Sequence, residues 1–158
     1  MDKLYILRCV NALPLRVADA LGPAVRVPTV TRRIRLPRRR AFLTRVFPAV
    51  PGFVFAREQH PDTRPLGPHA ALPPLLISGV PATCHSSELD DMEAAIQAEA
   101  ESPGWLPPPL PPVGVLVRVS VGPFAGRRGL VTAHSRPHAS VDLGGVEVLL
   151  PGSSLELL

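Results

Sequence analysis

Aromatic side chains are scarce in this 158-residue chain: one tryptophan, one tyrosine and five phenylalanines. A platform that stacks successive unpaired bases needs an interleaved aromatic series. None is present, so a sequence reader of that type is not expected. Lysine is nearly missing as well, since every basic residue except Lys3 is arginine, a bias that a GC-rich genome produces as readily as function does. The two cysteines, Cys9 and Cys84, lie far apart without histidines at ligand spacing. That pattern argues against a zinc site and points to reduced, structural thiols. No stretch reaches the roughly 18 continuous apolar residues of a membrane span, and the first residues lack the apolar core of a secretion signal. A soluble, cytoplasmic protein without a membrane partner is expected.

A catalytic centre is also hard to assemble. His60, His69, His85, His134 and His138 are scattered through loop-like sequence, and no nucleophile, base and charge stabiliser converge. The glycine-rich segment near residue 125 lacks the Gly-Lys followed by Ser or Thr that a phosphate loop requires. The expectation is a non-enzyme with no cofactor and no metal.

Proline, by contrast, is abundant. Of 21 prolines, many fall between Pro61 and Pro112, ending in the run Pro107, Pro108, Pro109, Pro111 and Pro112. Such a run fixes φ and removes hydrogen-bond donors, which suits a semi-rigid linker. The expected organisation is a first domain over 1–100, a linker over 101–112 and a second domain over 113–158, each with its own small core. Charge follows the same division. Through Arg57 there are 12 Lys or Arg against 2 acids, from Glu58 to Pro112 there are 1 and 8, and beyond that 4 and 3, giving +10, −7 and +1. A basic first domain suggests a face turned towards a polyanion.

In the first domain, Leu4 to Val10 reads as an opening strand rich in large and β-branched residues. Asn11 is placed to cap a helix carrying Leu13, Val17 and Leu21 on one face, and Gly22-Pro23 stops it. A second strand over Ala24–Val30 is interrupted by Pro28. The segment from Thr31 to Val46 predicts a β-hairpin with its tip near Pro37, Ile34 and Leu36 facing inward, and Arg32, Arg33, Arg35, Arg38, Arg39 and Arg40 available to phosphates. Pro51-Gly52 forms a sharp turn feeding a buried strand, Phe53-Val54-Phe55. Ser87 and Asp90 then form a capping box for a helix whose apolar stripe is Leu89, Met92 and Ile96.

The last third predicts strands near Leu116–Val121, Arg128–His134, Ala139–Leu143, Val146–Leu150 and Leu155–Leu157, with Gly144-Gly145 as a two-residue turn. Between the first two lies Gly122-Pro123-Phe124-Ala125-Gly126-Arg127-Arg128-Gly129. This string, with its flanking valines, resembles a KOW motif, and Pro48-Ala49-Val50-Pro51-Gly52-Phe53-Val54-Phe55 resembles the Pro-x-x-Pro-Gly-Tyr-Val-Phe signature of the NusG N-terminal domain.

Together with Leu4-Tyr5, Pro28-Thr29 and the basic hairpin, these motifs make the chain similar to the NusG family over residues 3–57 and 113–158. The resemblance implies an α+β fold, with an antiparallel sheet flanked by helices, the last of them preceded by a Pro-containing strand over Ile77–Pro81, followed by a small SH3-like KOW barrel carrying Gly122, Pro123, Phe124, Gly126 and Gly129 at its turn. It implies docking on the β′ clamp helices and β subunit of RNA polymerase through Leu4, Tyr5, Val50, Pro51 and Phe53. The hairpin arginines would lie near DNA at the transcription bubble or nascent RNA. Leu4 stands where the family has tryptophan, and Phe53 where it has tyrosine. The family's Ile-Phe-Gly-Arg-like loop has shrunk to Asp142-Leu143-Gly144-Gly145, which weakens the case for Rho or a small-subunit ribosomal protein as partner. A specialised or phage-type paralogue favouring antitermination or anti-pausing is the implied type. A KOW-containing RNA-binding or ribosome-associated protein, and an adaptor acting through its polyproline segment, remain the alternatives.

Overall fold

The computed structural model describes residues 2–36, 38, 41–101 and 109–158. Its first strand, β1 (Lys3–Arg8), buries Leu4 and Ile6 on one face and Leu7 on the other. Helix α1 (Pro14–Leu21) follows, with Pro14 at the start, where its missing N–H costs no helical bond. Asn11 does not cap it. Leu13 occupies the cap position, while Asn11 adopts a left-handed φ of 53° and donates its side-chain N–H to the His69 carbonyl at 3.1 Å. Gly22 ends the helix as expected, at φ 57°, with its N–H on the Ala18 carbonyl.

The expected strand over Ala24–Val30 is split in two. Ala24 lies in a 3₁₀ turn, β2 is only Val25–Arg26, and β3 (Thr29–Arg35) starts after Pro28, which has no N–H to give a ladder. β3 pairs with β4 (Phe42–Pro48) from Thr29 opposite Pro48 to Arg35 opposite Phe42, so the hairpin forms as a separate two-stranded ribbon. Leu36 is half-buried. Pro37, Arg39 and Arg40, assigned to its tip, lie outside the described residues. β5 (Phe53–Ala56) is buried throughout.

The strand expected over Ile77–Pro81 is instead a small hairpin of β6 (Leu76–Ile77) and β7 (Val80–Pro81), turned through Ser78 and Gly79, both at positive φ. β8 (Thr83–His85) leads directly into α2 (Ser86–Glu101). The capping interaction there is shifted from the expected one. Glu88 accepts the His85 backbone N–H at 2.7 Å, the return half of a capping box set two residues before Ser87 and Asp90 would place it.

The central sheet is antiparallel in the order β2-β5-β1-β8. One face carries Leu7, Val54 and Ala56 against Val17 of α1, with Val25 and Leu72 completing that cluster. The other face carries Leu4, Ile6, Phe53 and Phe55 towards Leu89 and Met92 of α2.

A second antiparallel sheet is built from β9 (Leu116–Val119), β10 (Arg128–Ser135), β11 (His138–Asp142), β12 (Glu147–Pro151) and β13 (Leu155–Leu157), in the order β12-β11-β10-β9-β13. Gly144 and Gly145, at φ 91° and 88°, form the two-residue turn between β11 and β12. Leu143 N–H meets the Val146 carbonyl across it at 2.9 Å, and the Asp142 carboxylate accepts the Gly145 N–H.

The architecture is α+β, made of antiparallel sheets with two α-helices among the described residues. The expectation of one core per domain does not hold. The larger buried cluster runs from Leu4, Ile6, Phe53 and Phe55 through Met92 into Val117, Val119, Phe124, Val131 and Leu150, so the two sheets share it.

Candidate functional site

β1 and β5 are neighbours, with Ile6 opposite Phe55 and Arg8 opposite Phe53. Because side chains alternate along a strand, Leu4 and Phe53 fall on one face of the sheet while Tyr5 falls on the other. The residues grouped by the resemblance as one docking set are therefore divided. Leu4, Val50 and Phe53 belong to the shared cluster, with exposures of 5%, 1% and 7%. Tyr5 packs at the margin of the α1 cluster, with the Lys3 ammonium 5.8 Å from its ring centre. Pro51 is half-buried in the turn before β5.

What covers Phe53 is the second sheet. Phe124, 1% exposed, sets its ring 6.1 Å from that of Phe53 in an edge-to-face arrangement. The turn that carries it is shaped by its glycines. Gly122, at φ 97°, lies so close to Met92 of α2 that a Cβ there would sit 2.8 Å from the sulfur. Gly126 needs its positive φ of 83°, whereas Gly129 needs space, because a Cβ would press on the Asp142 carbonyl and Val141. Pro123 is buried, as are Gly122 and Gly129, while Gly126 is exposed.

Sequence reasoning missed how α2 is held. Arg26 Nη2 bonds Asp90 at 2.5 Å and Glu93 at 3.1 Å, and the other Glu93 oxygen accepts the Thr29 N–H at 2.7 Å. Asp90, expected in a capping box, and Glu93 thus tie α2 to β2 and to the start of the ribbon. Sequence spacing offers no signal for this, since the partners are more than 60 residues apart.

The ribbon of β3 and β4 presents Arg33, Arg38 and Arg45 to solvent, with Arg32 half-buried. Arg35 is placed by backbone pairing opposite Phe42, and Arg39 and Arg40 lie outside the described residues. Phe42 and Arg45 were not singled out from sequence. Their positions beside the tip of an arginine-rich hairpin were the available signal. The Arg33 guanidinium carbon stands 4.2 Å from the centre of the Phe42 ring, a cation–π stack. At the base of the ribbon, a groove of about 490 Å³ separates it from the last turns of α2 and from Pro137 and Pro151 of the second sheet.

His138 borders this region. Burial, and secondarily the positive charge of Arg32, push its imidazole below the ordinary value. His134 contacts the Pro111 carbonyl through Nε2 at 2.7 Å, tying residues just before the second sheet to β10. Both cysteines are free, and burial raises Cys9 to about 11 and Cys84 to about 12, with the Glu88 charge adding to the effect on Cys84. They are unreactive thiols at neutral pH. Among the described residues no three His, Cys, Asp or Glu side chains gather as a metal site, and no helix is long and apolar enough to cross a membrane.

No protein-family model matches the chain, and no curated protein matches it.

Proposed function

We propose that the chain is a NusG-like transcription factor that binds RNA polymerase at the β′ clamp helices and promotes processive elongation. In this reading the first sheet with α1, α2 and the ribbon is the NusG-type domain, and the second sheet is an SH3-like KOW barrel. The observation that carries the reading is the pairing of the opening strand with the strand of the Pro-x-x-Pro-Gly string. The strand opened by Leu4 and the strand opened by Pro51-Gly52-Phe53 lie side by side and form one apolar face. Burying such side chains against a partner contributes about 2 kcal/mol each, the scale expected of binding hot spots.

That face is closed by Phe124 in this structure, so polymerase binding through it requires the second sheet to move away. The two-residue turn at Gly144-Gly145 leaves no room for an extended partner loop, which favours anti-pausing or antitermination over stimulation of Rho. Reconstituted transcription with the cognate polymerase tests the proposal. Shorter pauses and increased terminator readthrough are expected, and no change in either would overturn it.

One observation favours a second reading, that of an RNA-binding or ribosome-associated protein. The arginine ribbon is exposed while the apolar face is covered. Tight binding to structured RNA without polymerase, together with unchanged transcription, would place this reading ahead.

A further inference from the structure

The backbone of β3 presents hydrogen-bonding groups to a groove. The Pro28 carbonyl accepts the Ala49 N–H at 2.8 Å, and the Leu36 N–H meets the Ala41 carbonyl at 3.1 Å. The even-numbered residues of β3 therefore exchange hydrogen bonds with β4, and the odd-numbered ones direct theirs away from it. Thr29 shows where they point, because its N–H is taken by Glu93 of α2 at 2.7 Å. Beyond it, the N–H and C=O of Thr31 and Arg33 have no hydrogen-bond partner among the described residues. Both residues line the groove of about 490 Å³, whose other walls include Ile96 and Gln97 of α2 and Pro137 and Pro151 of the second sheet.

We infer that this edge takes an added strand: an uncharged, extended peptide of another protein that pairs antiparallel with β3 inside the groove. Main-chain bonds to Thr31 and Arg33 supply the affinity, and the peptide's side chains alternate between the two faces. Val30 lies in the shared buried cluster with Ile96 packed against it, so the face of the even-numbered residues turns towards α2. Peptide side chains on that face meet Ile96, Pro137 and Pro151, which favours β-branched apolar residues at alternate positions. Charge does not select the ligand. Arg32 and Arg33 share the groove with Glu99 and Glu101, two residues of each sign, so a strongly charged strand is repelled by one pair as it is attracted by the other. The volume lies within the usual range of ligand sites, about 300–1,000 Å³. A second copy of the chain is a poor occupant, because β3 against β3 brings the arginines of both copies together. None of this depends on the proposed polymerase role.

An NMR titration of the full chain with acetyl-Ser-Val-Thr-Val-Ser-amide tests the inference. In the free protein the Thr31 and Arg33 amides should exchange rapidly with solvent, and the peptide should shift both signals and slow that exchange. With its valines turned to α2, the peptide's threonine N–H points at β3. Methylating that nitrogen should weaken binding about tenfold, the effect of one or two lost hydrogen bonds, whereas methylating the valine nitrogens should leave binding unchanged. Thr31→Pro removes the donor on the protein side and should weaken binding by a similar factor. Its melting curve should not change, since the ribbon itself does not use that N–H. The methylated peptides act on the wild-type chain and decide the matter if the proline variant does not fold. Slow exchange at Thr31 and Arg33 in the free protein would mean that the edge is already covered and would overturn the inference. So would equal losses from the two kinds of methylated peptide, hexaglutamate binding as tightly as the neutral peptide, or no binding at about 1 mM peptide.

Discussion

Phe53 of the first sheet and Phe124 of the second meet edge to face, with ring centres 6.1 Å apart and planes inclined by 69°. Truncating either ring opens a cavity in the shared core, so Phe53→Ala and Phe124→Ala should each destabilise the protein by about 3–5 kcal/mol in urea denaturation. Their effects on a polymerase pull-down should diverge. Phe124→Ala frees the face beneath it and strengthens capture, whereas Phe53→Ala removes an anchor and weakens it. Equal weakening by both would show that this face is not where polymerase docks.

Glu93 uses both carboxylate oxygens, one on Arg26 and one on the Thr29 N–H. Glu93→Ala strips the partner from a part-buried backbone donor and should cost about 1–3 kcal/mol. Asp90 is mostly exposed, and Asp90→Ala should cost less than about 1 kcal/mol. Chemical denaturation of the two variants side by side measures the difference, and a larger loss at Asp90 would contradict it.

Gly126 and Gly129 sit three residues apart and are glycine for different reasons. Alanine at 126 meets no atom within 4 Å and pays only for its left-handed backbone, roughly 1 kcal/mol. Alanine at 129 drives a methyl group into the Asp142 carbonyl and Val141, an overpacking cost of about 1–3 kcal/mol or more. Gly129→Ala should therefore show the lower urea midpoint.

His138 has a folded-state pKa below its ordinary 6.5, through burial first and Arg32 second. Below pH 6.5 the unfolded chain binds a proton that the folded one resists, so protonation favours unfolding. The contribution of this site is fully present above pH 6.5 and is lost as pH falls from there through the folded pKa. His138→Gln should flatten that part of the stability-versus-pH curve. An NMR titration should find the imidazole midpoint below 6.5, with Arg32→Gln moving it upward by the smaller part of the shift.

Local chemistry made several elements legible. Gly144-Gly145 announced a two-residue turn because both residues need positive φ, and Pro51-Gly52 marked the entry to β5. The ribbon followed from two β-prone stretches either side of Pro37. Other features depended on partners distant in sequence. Asn11 resembled a helix cap until the His69 carbonyl claimed its amide, and Asp90 resembled part of a capping box while Arg26 held it. Few aromatics gave little reason to expect contact between the sheets, yet one ring from each side meets within an otherwise aliphatic shared cluster. The division of Leu4 from Tyr5 needed only the two-residue period of a strand, applied to a pair carried over as a unit.

The shared cluster also bears on how the chain reaches this structure. Leu4 and Leu150 lie in the same buried group although almost the whole sequence separates them. The hairpins β3–β4, β10–β11 and β11–β12 close short loops and form early, whereas a cluster that unites residues so far apart must first overcome a large loop-closure entropy. Contact order therefore predicts that each sheet forms first on its own hairpins and that Phe124 seats on Phe53 late, so Phe124→Ala should speed unfolding more than it slows refolding in stopped-flow measurements.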